Sequence, residues 1–192
     1  MEISTRRGDD GTTGLFYGGR VPKDSDRPRA YGAVDEAQAG LGLARAATEP
    51  GGELDGYLVE ICRQLYVVMG ELATAPENRH KLEAGVSLAS AEMVERLEEI
   101  GSGLSGRFEM PRQFVIPGQN DVSARLEMAR TLVRRAEREC LAVADPDSHV
   151  VPYLNRLSDL IWVMARWQEG ESLLTDPDTD RRWSTGKGAG TA

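Results

Sequence analysis

Apolar residues return at helical intervals along most of the chain, and the clearest run is Leu54, Leu58, Ile61, Leu65, Val68 and Leu72, which steps by four and three without a miss. Val59, Cys62, Tyr66, Met69 and Ala73 form a second stripe beside it. An apolar face that wide predicts a helix packed on several partners. Before it, Tyr31, Val34, Gln38 and Leu41 predict a helix from about Arg27 to Ala47, closed by Pro50-Gly51-Gly52. After it, Ser90 is the predicted cap of a helix that turns Met93, Leu97, Ile100 and Leu104 inward, until Gly101, Gly103 and Gly106 weaken its end. An extended piece from Phe108 to Pro117 leads to a helix from Asn120 to Val143, with Asn120 or Asp121 as cap and Val122, Leu126, Ala129, Val133, Ala136, Cys140 and Val143 as its buried stripe. The last helix runs from Pro152 to Gly170 with Leu154, Leu157, Ile161 and Met164 inside. Asn155, Asp159, Trp162 and Arg166 share another of its faces, a polar and aromatic surface that a core does not need. No run alternates with period two for long enough to build a sheet. The predicted fold is all-α, an antiparallel bundle of four or five helices.

Length and composition place this bundle in context. At 192 residues the chain suits one domain with a single core. Residues 1–26 form a glycine-rich N-terminal segment, 27–170 the bundle, and 171–192 a tail whose Asp, Pro and Gly content predicts flexibility. Cys62 and Cys140 both fall in apolar stripes and are expected as buried, reduced thiols. His80 and His149 stand apart from any ligand cluster, which argues against structural zinc. No apolar run approaches the roughly 20 residues of a bilayer span, and Met1 to Gly11 has no secretory pattern, so a soluble cytoplasmic protein is expected.

Charge changes the picture more. The chain carries a net charge of −8, yet Arg125, Arg130, Arg134, Arg135 and Arg138 all lie on the Asn120–Val143 helix. Confinement to one helix in an acidic chain argues against a nucleic-acid surface. Arg130 and Arg134, four apart, project together and suit a polyanion, because guanidinium groups stay charged and match phosphate oxygens in a forked geometry. A solvated face with Glu127, Glu137 and Glu139 as helix ion-pair partners fits the same spacing.

A second candidate lies at the N-terminus, where Thr5-Arg6-Arg7-Gly8-Asp9-Asp10-Gly11-Thr12-Thr13-Gly14 combines glycines, hydroxyls and basic groups. Backbone N–H groups exposed by glycine, threonine hydroxyls, Arg6, Arg7 and Lys23 can wrap an anion, although a flexible polar terminus has the same composition. It is not a Walker loop, since no Gly-Lys-Ser/Thr follows at the required spacing. Asp35 and Glu36 are candidate acid–base carboxylates, or arginine partners. No Ser/His/Asp or Cys/His set accompanies them. A phosphate site without a base suits a nucleophile that arrives already activated.

Three blocks of the chain resemble the PduO-type ATP:cob(I)alamin adenosyltransferases. They are Thr5 to Thr13 followed by Arg29-Ala30-Tyr31-Gly32-Ala33-Val34-Asp35-Glu36; Phe114-Val115-Ile116-Pro117-Gly118 followed by Ala129-Arg130-Thr131 and Arg134-Arg135-Ala136-Glu137-Arg138; and Tyr153-Leu154-Asn155-Arg156-Leu157-Ser158-Asp159. The resemblance implies a homotrimer of helical bundles that transfers the adenosyl group of ATP to reduced cobalamin and releases triphosphate, with ATP at the subunit interface. It implies that Thr5, Arg6, Arg7, Gly8, Asp9, Gly11, Thr12, Thr13 and Lys23 enclose the triphosphate and that Arg130 and Arg134 lie at the nucleotide site. It also implies an Asp35–Arg130 pair between subunits, and Glu137 and Asn155 positioning ATP and its Mg²⁺. Phe114 takes the place of the apolar side chain that removes the lower axial ligand of Co(II), the step that makes reduction to Co(I) feasible. Such an enzyme implies a partner reductase and an adenosylcobalamin-dependent acceptor enzyme. The other reading of the same residues is a non-catalytic ATP or corrinoid carrier. The chain departs from the family at Gln119, Asn120 and Asp121, where small residues are common, and at Glu127, where many members have histidine. Those positions bear on the corrinoid pocket rather than on ATP.

Overall fold

The computed structural model describes residues 6–175 and is mostly helical. A hairpin of β1 (Thr12–Gly14) and β2 (Arg20–Pro22) precedes five helices: α1 (Asp26–Arg45), α2 (Glu53–Leu72), α3 (Ala91–Ser105), α4 (Asp121–Cys140) and α5 (Val150–Glu169). A short 3₁₀ segment, Pro76–Lys81, links α2 to the chain that enters α3. No helix among the described residues is long and apolar enough to cross a membrane.

The main predicted stripes are the observed core, but the second stripe of α2 is not: Tyr66 is 67% exposed, and Val59, Cys62, Met69 and Ala73 are only partly buried. Leu58, Ile61, Leu65 and Val68 of α2 are completely buried with Leu126, Ala129, Val133 and Ala136 of α4 and Leu154, Leu157, Ile161 and Met164 of α5. Small residues set the closest approach, because α1 meets α4 through Ala33, Ala37 and Gly40. A Cβ on Gly40 would come within 2.8 Å of Leu132 Cδ1 and 3.4 Å of the Ala129 Cα, so even alanine there would require Leu132 to shift.

Pairings across the bundle fix its directions. Arg45 meets Asp55 and Arg27 donates to the Leu72 carbonyl, so α1 and α2 are antiparallel. Arg125 reaches the Leu43 carbonyl and Arg135 pairs with Glu36, so α4 is antiparallel to α1. Asn155 meets Glu137 and Arg166 meets Glu127, which makes α5 antiparallel to α4. Arg96 meets Glu60 and Arg107 meets Glu53, so α3 is antiparallel to α2, and consecutive helices alternate in direction as expected. Arg156 pairs with Glu98 while Arg107 lies over the Trp167 ring, so α3 and α5 run side by side in the same direction. The chain reverses twice between them, and α5 then docks beside α3.

Other differences have local causes. The hairpin breaks the all-helical expectation because its three-residue strands are too short to show alternation; its register pairs Thr13 with Val21, and Gly18 and Gly19 at positive φ close the turn. The predicted Asn120 cap is present as a capping box, with Asn120 Oδ1 accepting from the Ser123 N–H at 2.8 Å. Ser90 occupies the cap position of α3, but its hydroxyl serves Glu92 instead of a backbone N–H. Cys140 is buried as expected and Cys62 only partly so. Residues 171–175, expected as the start of a free tail, are hydrogen-bonded instead: Ile116 donates to the Leu173 carbonyl at 2.7 Å and Thr175 to the Phe114 carbonyl at 3.0 Å. The remainder of the predicted tail lies outside the described residues.

Candidate functional site

The α3–α4 connection crosses one end of the bundle and carries Phe114 on a segment held by that pairing, with Val115 opposite Leu174. Beneath it opens a cavity of about 690 Å³ whose walls include Phe114, Val115, Glu127, Arg130, Trp162 and Arg166. Phe114 is 87% exposed, so its ring is not packed in the core. An aromatic side chain left in water at the mouth of a cavity is a contact waiting for a ligand or another chain.

One wall of the cavity is a chain of buried charges. Arg166, predicted on a polar surface, is only 1% exposed because three groups compensate it. Its Nη2 donates to Glu169 Oε1 at 2.8 Å, its Nη1 lies 3.1 Å from Glu127 Oε1, and its guanidinium sits over the Trp162 ring. Glu127 Oε2 in turn accepts from Arg130 Nε at 2.8 Å. Ser172 completes the series through Glu169 Oε2 at 3.0 Å, which ties this wall to the residues that pair with the Phe114 segment. The ion-pair reading of Glu127 and Arg130 is therefore realised on α4, while Arg130 still lines the cavity.

Farther along the α4–α5 groove, Asn155 Nδ2 donates to Glu137 Oε1 at 3.2 Å. Arg134, between Arg130 and Glu137 along α4, is exposed and makes no ion pair with a described residue. Arg130, Arg134 and Glu137 thus share one face, one turn apart. Asp35 is exposed on α1 and has no described ion-pair partner, whereas Glu36 beside it is taken by Arg135.

The N-terminal segment sits at the other end of the bundle. Phe16 donates to the Ala73 carbonyl at the end of α2, next to the start of α1. Within the segment, Lys23 Nζ donates to the Gly8 carbonyl at 2.7 Å, and a Cβ on Gly8 would lie 2.9 Å from that ammonium. The Asp10 carboxylate accepts from the Thr12 N–H at 2.9 Å and from its hydroxyl at 2.8 Å, and these bonds hold its pKa below the usual value. Arg20 Nε donates to Thr12 Oγ1 at 3.0 Å. Gly8, Gly11, Thr12 and Lys23 are therefore a preformed turn, and Arg6, Arg7, Asp9 and Thr13 flank it. Thr5 lies outside the described residues. No described hydrogen bond or ion pair joins residues 6–23 to Arg130, Arg134, Glu137 or Asn155. A helix of 20 residues separates the two ends by about 30 Å.

The cobalamin adenosyltransferase family profile matches residues 3–168, most of the chain and all five helices except the end of α5. The chain belongs to this family. A corrinoid adenosyltransferase of Citrobacter freundii is 38% identical over 179 residues, which cover 92% of this chain and 97% of the relative. The corrinoid adenosyltransferase PduO of the same organism is 39% identical over 181 residues, covering 90% of this chain and 51% of that protein, so the chain spans about half the length of this relative. A solved structure of a variant PduO-type ATP:corrinoid adenosyltransferase from Lactobacillus reuteri, complexed with cobalamin and ATP, superposes with a TM-score of 0.82 at 26% identity, covering 92% of this chain and 97% of that one.

For this family member, sequence reasoning singled out Phe114, Arg130, Arg134, Glu137 and Asn155, and the fold gathers them along the α4–α5 groove and its mouth. It missed Glu169 and Ser172 entirely. Their signal was faint: Glu169 follows Arg166 by three residues at a helix end, a spacing that ordinarily marks a solvent-exposed pair.

Proposed function

We propose that the protein is an ATP:cob(I)alamin adenosyltransferase, with the corrinoid in the cavity under Phe114 and ATP along the arginine face of α4. Co(I) attacks C5′ of ATP; a Co–C bond forms, the C5′–O bond breaks, and its electron pair leaves with triphosphate. The nucleophile needs no deprotonation, and the carboxylate of the cavity wall, Glu127, is already held by Arg130 and Arg166. Catalysis then rests on alignment and on neutralising the leaving group. Phe114 presses its apolar ring on the lower face of the corrin, keeping an axial ligand off Co(II) so that an external reductase can deliver the electron.

The single observation that carries this reading is an exposed Phe114 ring at the mouth of a cavity whose other side is arginine-bearing. The separation of the N-terminal turn from that cavity supports an assembly in which the two come from different subunits. We assign Thr5, Arg6, Arg7, Gly8, Asp9, Gly11, Thr12, Thr13 and Lys23 of one subunit, with Arg134, Glu137 and Asn155 of the next, to the triphosphate and nucleotide. Asp35 and Arg130 pair across that interface in a homotrimer; among the described residues Arg130 bonds Glu127 through Nε, and its Nη groups are assigned to the pair. Among the described residues no group of three potential ligands can hold a metal alone. Mg²⁺ would be carried on the phosphates of ATP with Glu137, fixed by Asn155, as its carboxylate, and would neutralise triphosphate charge. The product requires an adenosylcobalamin-dependent acceptor enzyme, in the cytoplasm.

Purified protein incubated with ATP, Mg²⁺ and chemically reduced cobalamin is expected to yield adenosylcobalamin and triphosphate in equal amounts. Binding of both substrates without product would leave the carrier reading in its place.

A further inference from the structure

We propose that Glu127 is a positioning residue that sets Arg130 for the reaction, an inference that rests on the adenosyltransferase reading above. Its side chain is 11% exposed and its two oxygens are divided between two cations: Oε2 accepts from Arg130 Nε at 2.8 Å, and Oε1 lies 3.1 Å from Arg166 Nη1. Arg166 is itself 1% exposed and bound to Glu169, whose side chain is fully buried. The carboxylate therefore hangs from a buried point and grips Arg130 by its inner nitrogen.

That choice of nitrogen matters. A guanidinium held at Nε is oriented by its stem, and its terminal Nη1 and Nη2 point away as a fork that matches a carboxylate or phosphate. No described bond uses those two groups. Without Glu127 the arginine side chain would regain its rotamers, and two cations would face each other across the cavity wall with nothing between them. Glutamate can bridge both because it has two equivalent acceptors. Glutamine has one acceptor and turns an N–H₂ toward the other guanidinium.

A network that merely fastens α4 to α5 would predict the same burial, so the test must read Arg130 itself. Wild type, Glu127→Ala, Arg130→Ala and the double variant are assayed for kcat and KM with chemically produced cob(I)alamin and ATP, together with thermal midpoint and oligomeric mass. The expected result is at least a tenfold loss of kcat/KM on Glu127→Ala when Arg130 is present and less than a twofold further loss when Arg130 is already alanine. Equal losses in the two backgrounds overturn the proposal. Glu127→Gln keeps the side-chain volume and runs through the same cycle in case the alanine variant does not fold; a loss intermediate between wild type and Arg130→Ala that disappears in the Arg130→Ala background is expected, and a loss that persists there overturns the proposal equally. Absence of turnover by the wild-type protein removes the adenosyltransferase reading and this inference with it, whereas an active wild type with an additive cycle removes only the role of Glu127.

Discussion

Truncating Phe114 to alanine separates binding from folding because the side chain is already 87% exposed. A change at a side chain that touches no core usually alters stability by no more than about 0.5 kcal/mol, which for a chain of this size moves the thermal midpoint by under about 2 °C. A buried phenylalanine would instead cost about 3–5 kcal/mol, or roughly 6–20 °C. In the complex the ring passes from water to the face of the corrin, and burying a phenylalanine fully stabilises by about 1.5–3 kcal/mol. Its loss should therefore weaken cobalamin binding by roughly one to two powers of ten. The larger effect concerns cobalt reduction. Phe114→Ala should lose the four-coordinate Co(II) spectrum in the presence of ATP, and turnover starting from Co(II) should fall much further than turnover from chemically made Co(I). Thermal midpoint, Co(II) spectrum and the two rates are measured on one preparation. A midpoint lowered by more than about 6 °C with a normal Co(II) spectrum would refute both the surface placement and the catalytic role.

Lys23→Ala and Arg134→Ala should each weaken ATP binding by about 1.5–3 kcal/mol, measured by titration calorimetry, with helical content unchanged; two unaltered affinities would place the phosphates elsewhere. Asp35→Ala and Arg130→Ala should be strongly non-additive in trimer stability or ATP affinity, and alanine is preferable to charge reversal because an aspartate at 130 would lie against Glu127. Additivity in that cycle would remove the intersubunit pair. Burial pushes the Cys140 thiol up to about 12 from 9.0, so folding stability held by the neutral thiol is present below pH 9 and is lost as pH rises toward 12. Cys140 should accordingly resist alkylation at pH 8 until denaturant is added, and rapid native-state labelling would contradict its burial.

The parts of this molecule that were legible in the sequence are those governed by local periodicity. The α2 stripe from Leu54 to Leu72 and the Asn120 cap follow from spacing and from one polar side chain next to its own backbone, and both are present. What escaped depends on which distant segments meet. That α5 lies beside α3 as well as α4 is invisible to periodicity, since a stripe does not say which helix will cover it. Arg166 shows the same limit at the level of one side chain: a charged residue on a mixed face reads as solvated until Glu127, Glu169 and Trp162, from two helices, are brought around it. Phe114 shows the converse limit, because apolarity alone cannot distinguish a residue that fills a core from one left exposed. Only the resemblance to a family supplied that distinction.

The distribution of the candidate groups along the bundle bears directly on assembly. ATP carries its triphosphate on the same 5′-carbon that Co(I) must attack, so phosphate-binding groups and the corrinoid cavity have to lie within the length of one nucleotide. Within one chain the Gly8–Lys23 turn and the Phe114 cavity are at opposite ends of helices about 30 Å long, beyond that reach. Either the arginines of α4 hold the triphosphate unaided, or the turn serves the cavity of a second subunit. Among the described residues Arg134 is exposed midway along the groove and makes no ion pair, Asp35 makes none on α1, and no bond uses the terminal nitrogens of Arg130, so each candidate retains bonding capacity. Residues meant only for intrachain stability would have used that capacity on neighbours, as Arg135 and Glu36 do. Under the proposed assembly, in which the turn serves a second subunit, monomeric protein should show no turnover, and full activity of a monomer would leave the α4 arginines as the whole phosphate site.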